Sequence, residues 1–177
     1  MAYTDSYIYK LRQKVGKELI LTTTVVVIPV RQDGKIKLVN APHMGGWTPV
    51  GGHCEPGDSF ASAALHELKE EAGITAGADD LELFATISGA GRIFHYADGD
   101  TQPFTLAFFL RNWQDEGDNT DKEEISGMKW VDLNEAIKMP ANESVKLIFT
   151  AYQKFLATGK VQMIEQATDV RADYTRV

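Results

Sequence analysis

The chain has 177 residues, a hydrophobic fraction of 44%, a charged fraction of 24% and a net charge of −7. That length suits one globular domain with a sizeable core, and the acidic balance offers no basic run to track a nucleic-acid backbone. An acidic protein that handles an anionic substrate needs a local positive centre, which a bound cation supplies. The single cysteine, Cys54, excludes an internal disulfide framework and suits a reducing cytoplasm.

In chain order, residues 5–16 read as a short amphipathic helix with Ile8, Leu11 and Val15 at helical spacing. Lys10, Arg12, Lys14 and Lys17 then precede the apolar run 19–30, a layout that superficially resembles a targeting signal. The run is too short to span a bilayer and is rich in β-branched residues, so it reads as a buried strand, and no membrane partner is expected. Asp33-Gly34 turns the chain into a second strand over 35–41. Residues 42–57 hold five glycines and three prolines and read as an ordered loop. A helix is expected from about Asp58 to Ala72, with Asp58 as its N-cap and Gly73 just past its end. Strands over 81–97 and 102–113 flank Asp98-Gly99, a hairpin signal. An acidic loop, 114–124, leads to a strand at 125–131 and helices at 133–138 and 143–157. The sequence thus predicts one domain over 1–177, with a core at about 19–157 and a weakly structured tail at 158–177. Antiparallel strands with a few helices indicate an α+β fold.

The chemistry concentrates on the helix after the glycines. Glu67, Glu70 and Glu71 stand at i, i+3 and i+4, so their carboxylates share one face, while Ala61, Leu65, Leu68 and Ala72 form a stripe for the core. Mutual repulsion of three carboxylates becomes coordination around a hard cation such as Mg²⁺. Directly before them, Gly51-Gly52-His53-Cys54-Glu55-Pro56-Gly57 lets backbone approach a metal or phosphate closely. A solvated acidic helix face is the plainer reading of the carboxylates alone; the glycine stretch argues against it.

Gly52, Asp58, His66-Glu67, Leu68, Glu70-Glu71, Gly73 and Ile74 keep every spacing of the Nudix box, so the chain resembles the Nudix (MutT-like) hydrolases over roughly residues 20–155. Trp47 and Pro49 before the glycines, and Trp130-Val131-Asp132-Leu133 after the acidic loop, fit the same resemblance. It implies an α/β/α sandwich around a mixed β-sheet. It also implies hydrolysis of a phosphoanhydride bond in a nucleoside diphosphate linked to another moiety, or in a nucleoside triphosphate. Glu67, Glu70, Glu71 and the Gly52 carbonyl would hold Mg²⁺, with Mn²⁺ as an alternative, and the general base would be either a glutamate of the box or one on the later loop, Glu123 or Glu124. A homodimer is compatible with the resemblance.

Two positions depart from the box. Asp58 stands for its first glutamate, and His66 for the arginine that orients the neighbouring glutamate; His66 keeps a non-catalytic, nucleotide-binding alternative open. An isomerase on the same fold would need a metal-binding histidine set and a catalytic cysteine, and Cys54 alone supports it poorly. Arg92 is expected on a strand, where its fork suits a phosphate. Trp47, with Gly51 and Gly52, is a candidate for substrate contact, and Phe94 and Tyr96 are further stacking candidates. Cys54 lacks an orienting third group, and the four histidines show no zinc spacing. Near the position where ADP-ribose hydrolases often carry a proline the chain reads Ser88-Gly89-Ala90-Gly91, and Tyr96 lies beyond the place of the dinucleoside polyphosphate tyrosine.

Overall fold

A computed structural model describes residues 3–121, 124–167 and 173–174. Helix α1 (Tyr7–Val15) is capped by Ser6, whose side chain accepts from the Tyr9 amide. Strand β1 (Ile20–Pro29) is an inner strand of the main sheet. It pairs parallel with β8 (Gly99–Leu110) on one side and antiparallel with β4 (Val50–His53) on the other. Beyond β8 lie β6 (Glu82–Ser88) and β7 (Phe94–Tyr96), both antiparallel to it. Strand β2 (Ile36–Ala41) joins β3 (Gly46–Thr48) and β10 (Gly127–Val131) in a second sheet. Strands β5 (Ile74–Thr75) and β9 (Asp115–Glu116) form a small third ladder.

The period-two alternation of β1 divides the core. Val25 and Val27 face α2 (Phe60–Ala72) with Leu68, Ala72 and Ile74, whereas Val26 and Ile28 face α4 (Glu143–Thr158). On that second face Phe84, Phe109, Tyr152 and Phe155 form a ring cluster with centroids 5.1 to 6.4 Å apart. The mixed sheet between α2 and α4 is the expected sandwich. Helix α3 (Leu133–Ala136) is a single turn leading to α4. No helix among the described residues is long and apolar enough to cross a membrane.

Four expectations change. The 42–57 segment is not all loop, because Gly46–Thr48 and Val50–His53 pair as β3 and β4. The segment 81–97 breaks at a 3₁₀ turn, Ala90–Arg92, so Arg92 sits in a turn and not on a strand. The tail is partly ordered: β11 (Gln162–Glu165) adds parallel to β6, and β12 (Asp173–Tyr174) to β7. The core stripe of α2 is also rotated, for Ala63, Ala64, Leu68, Glu71 and Ala72 are its buried residues.

Candidate active site

Two glycines and two glutamates form the centre of the site. The β1–β4 pairing sets Gly51 opposite Val26 and Gly52 opposite Val25, and the following turn brings α2 back across them. The Gly51 amide donates to Glu71 Oε2 at 2.8 Å. A side chain at Gly52 would put its Cβ 2.2 Å from Glu67 Oε1, so the absent side chain is the space that carboxylate occupies. At Gly51, with φ of +156°, a Cβ would meet the Val25 carbonyl oxygen at 2.3 Å. The glycines are therefore strand residues selected for close approach.

Burial has an electrostatic consequence. Glu67 is pushed up to about 8, first by desolvation and then by the Glu70 and Glu124 charges. Glu71 is held well above the ordinary carboxylate range by burial and by Glu67, against a smaller opposing effect of the Gly51 amide. Uncompensated carboxylates stacked in this way favour protonation or a cation.

The acidic loop supplies the facing wall. Thr120 and Asp121 amides donate to the Glu70 carbonyl at 2.8 and 3.1 Å, and the Gly117 amide to the Gly73 carbonyl at 2.8 Å. The Glu124 amide in turn donates to Asp121 Oδ1 at 3.1 Å. Asp121 and Glu124 thereby reach the same cleft, of about 260 Å³, as Glu67, Glu70 and Glu71. His43 Nε2 lies 3.9 Å from Glu124 Oε2, and burial lowers the His43 pKa against the raising effect of Asp121. Glu123 lies outside the described residues.

Arg92 lines the cleft but is only 4% exposed; its Nη2 donates to Thr105 Oγ1 at 2.8 Å and its guanidinium sits 5.1 Å from the Phe94 ring. Phe94 and Tyr96 also line the cleft. Trp47 does not: it packs against the α4-side core with Lys129 Nζ 4.1 Å from its ring centroid. Asp58 is not the helix cap. Ser59 and Ser62 form a reciprocal capping box, while Asp58 accepts from the Glu55 amide at 3.0 Å and fixes the turn before it. The His66 side chain is 71% exposed and its Nδ1 lies 3.8 Å from Asp58 Oδ1, so the ring turns toward the helix start and not to Glu67. Glu67 is seated by Gly52 instead. Burial raises the Cys54 pKa, which opposes a thiolate nucleophile.

Sequence reasoning missed His43, Asp121 and the start of α4, where Asn142 and Ser144 line the cleft. Asp121 lay within the acidic loop, but nothing in its spacing set it apart from Asp115 or Asp118. Among the described residues no group of three or more His, Cys, Asp or Glu side chains stands ready-made around a metal position. The donor set nonetheless fits a hard divalent cation, since Glu67 and Glu71 are oxygen donors held beside backbone in a cleft that Glu70 also lines.

The NUDIX domain family model matches residues 21–152. The chain belongs to the NUDIX family. This NUDIX protein is 30% identical over 113 residues to a bis(5′-nucleosyl)-tetraphosphatase of Sus scrofa, covering 63% of this chain and 73% of the relative. The enzyme of that name from Caenorhabditis elegans is 29% identical over 144 residues, 78% of this chain and 99% of the relative. A crystal structure of a C. elegans Ap4A hydrolase binary complex superimposes with a TM-score of 0.53 at 25% identity, covering 77% of this chain and 98% of that one. The protein is a Nudix-type pyrophosphohydrolase, acting on acid anhydrides.

Proposed function

We propose that this hydrolase cleaves a phosphoanhydride bond of a nucleotide in a divalent-metal-dependent reaction. The substrate is a nucleoside diphosphate linked to a second moiety or a nucleoside triphosphate, with a dinucleoside polyphosphate the first to test. The observation that carries the reading is the pair of buried carboxylates, Glu67 and Glu71, seated on Gly52 and Gly51 within a cleft that Glu70, Asp121 and Glu124 share. The named activity of the curated relatives supports the dinucleoside choice.

Glu67, Glu70 and Glu71, with the Gly52 carbonyl, would hold Mg²⁺ or Mn²⁺, which when bound neutralises pyrophosphate charge and acidifies water. Glu124, across the cleft, accepts the proton of the attacking water. Water adds to phosphorus in line, the anhydride P–O bond breaks, and the departing phosphate takes its electron pair. Positioning and charge compensation do most of the catalytic work in such a transfer. Arg92 adds positive charge to the cleft wall. Asp58 fixes the turn that leads into α2, and His66 acts on Glu67 only through Asp58 and the helix start. The protein works in the cytoplasm, as its lone cysteine suggests, with a small nucleotide as its partner.

The test is a panel of dinucleoside polyphosphates, sugar-linked nucleoside diphosphates and (deoxy)nucleoside triphosphates with Mg²⁺ or Mn²⁺, the products identified by mass. Cleavage of at least one compound at an anhydride bond, abolished by excess EDTA, is expected. Tight nucleotide binding with no turnover anywhere on the panel would retire the catalytic reading in favour of a regulatory one.

A further inference from the structure

The segment that precedes β1 lies outside the NUDIX match, which begins at residue 21, yet it lines the same cleft as the carboxylates. Tyr3, Ser6 and Ile8 stand on that wall, with Phe94, Tyr96 and Pro103 from β7 and β8 also lining the cleft. The segment is firmly seated. The Tyr7 amide donates to both Glu55 carboxylate oxygens at 3.0 Å, tying α1 to the turn between the glycine pair and α2. Arg12, only 4% exposed, donates to the carbonyls of Gly16, Glu18 and Asp100, and Tyr3 donates its hydroxyl to Asp98. Gly99 makes room for this docking, because a Cβ there would lie 2.6 Å from Arg12 Nη1. Tyr7, mid-segment, thus holds the turn beside the carboxylates, while Tyr3 before it and Arg12 after it hold the β7–β8 hairpin.

The sheet register gives the separation. Gly52 pairs with Val25, whereas Phe94 pairs with Thr101, which pairs with Ile20. Five residues along β1 is roughly 16 Å, before the strands between them are crossed. A substrate whose phosphates sit at Glu67 therefore reaches the Tyr3, Phe94 and Tyr96 end with the part that carries no scissile bond. That end presents the Tyr3, Phe94 and Tyr96 rings beside the Arg92 guanidinium, and the ring faces suit the flat face of a base.

Resting on the nucleotide reading above, we propose that residues 3–15 form a specificity wall, in which Tyr3 and Ile8 pack against the nucleoside moiety remote from the cleaved bond. Tyr3 and Ile8 are positioning residues that set affinity and substrate ranking and take no part in bond cleavage.

The experiment uses the full chain with Mg²⁺ and the best substrate of the panel. Tyr3→Ala should raise KM about tenfold, as loss of one base-stacking ring does, with kcat within about twofold. Tyr3→Phe keeps the ring and should restore KM, and Lys154→Ala, on the exposed face of α4, should match the wild type. Unchanged KM and substrate ranking in Tyr3→Ala, with α1 still docked by circular dichroism and melting temperature, would overturn the wall. Should the wild type cleave nothing, the catalytic reading fails, and ADP binding by calorimetry decides the wall separately. About tenfold weaker ADP binding in Tyr3→Ala supports it; equal binding, or no ADP binding by the wild type, overturns it.

Discussion

Replacing Glu67 with glutamine should make the metal-free protein more stable, and increasingly so as pH rises. The native carboxyl keeps its proton up to about pH 8, whereas in the unfolded chain it loses it near 4.5. Between those values the native state binds more protons than the unfolded state, so the group's contribution to stability falls as pH increases. Moving a carboxyl from 4.5 to about 8 at about 1.36 kcal/mol per pH unit amounts to about 5 kcal/mol. That is a ceiling, because Glu71 and entering water share the relief. A gain of about 2 to 3 kcal/mol at pH 9, or roughly 4 to 12 °C in melting temperature, is the expected outcome. At pH 5 the two proteins should melt together. Glutamine keeps the shape that fits against Gly52, so cavity effects stay small. Melts by circular dichroism between pH 5 and 9 in EDTA measure this directly. Repeating them with saturating Mg²⁺ should narrow or reverse the difference, since cation binding stabilises the wild type by about 2.7 kcal/mol at a hundredfold excess over Kd. A difference that is the same at every pH, or a variant less stable at pH 9, would refute the electrostatic reasoning.

The remaining predictions concern the same site. Glu70→Gln and Glu71→Gln should each lower kcat/KM at least about a hundredfold, some 2.7 kcal/mol of transition-state stabilisation, in protein that still folds; near-normal rates would mean a merely solvated face. Gly52→Ala and Gly51→Ala should fail differently. The first displaces only the Glu67 carboxylate and should fold without activity, while the second drives a Cβ into the Val25 and Val26 backbone and should fold poorly, as soluble yield and melting will tell. Glu124→Gln should reduce turnover far more than Asp118→Asn, because Glu124 lines the cleft and Asp118 is exposed. Equal, negligible effects in steady-state assays would remove Glu124 from the reaction.

The carboxylate face of α2 and the glycines before it were legible because spacing alone places them: three residues within one turn, then a helix stop at Gly73. Less could be read where two chemically equivalent residues compete. Asp58 and Ser59 are both competent caps, and only the reciprocal partner Ser62 decides for Ser59. The core stripe of α2 was misread because buried carboxylates look polar in sequence although Glu71 occupies an inward position. Glycine is depleted from strands, so β4 read as loop; its backbone pairs with β1 while the missing Gly52 side chain leaves the space that Glu67 occupies. Arg92 had a local cue in Gly89 and Gly91, which favour a turn, but its burial against Thr105 and Phe94 depends on partners that are distant in sequence. Gln162–Glu165 is a four-residue edge strand whose adjacent apolar pair, Met163 and Ile164, shows no alternation, and only β6 reveals it. The wall formed by Tyr3 and Ile8 depends on a hairpin some ninety residues away and left no local trace.

The bonds from Thr120, Asp121 and Gly117 onto the last turn of α2 have a dynamic consequence. A loop held by its own contacts would open and close independently of the elements around it. Here the amides that seat the loop are bonded to the Glu70 and Gly73 carbonyls, so releasing them strips the helix end of the donors that cap it. Hydrogen exchange at Thr120, Asp121 and Gly117 should therefore slow together, as one cooperative opening unit. The cleft's two acidic walls then keep their separation through fluctuations that loosen the sheet beneath them, because the unit that fluctuates contains both.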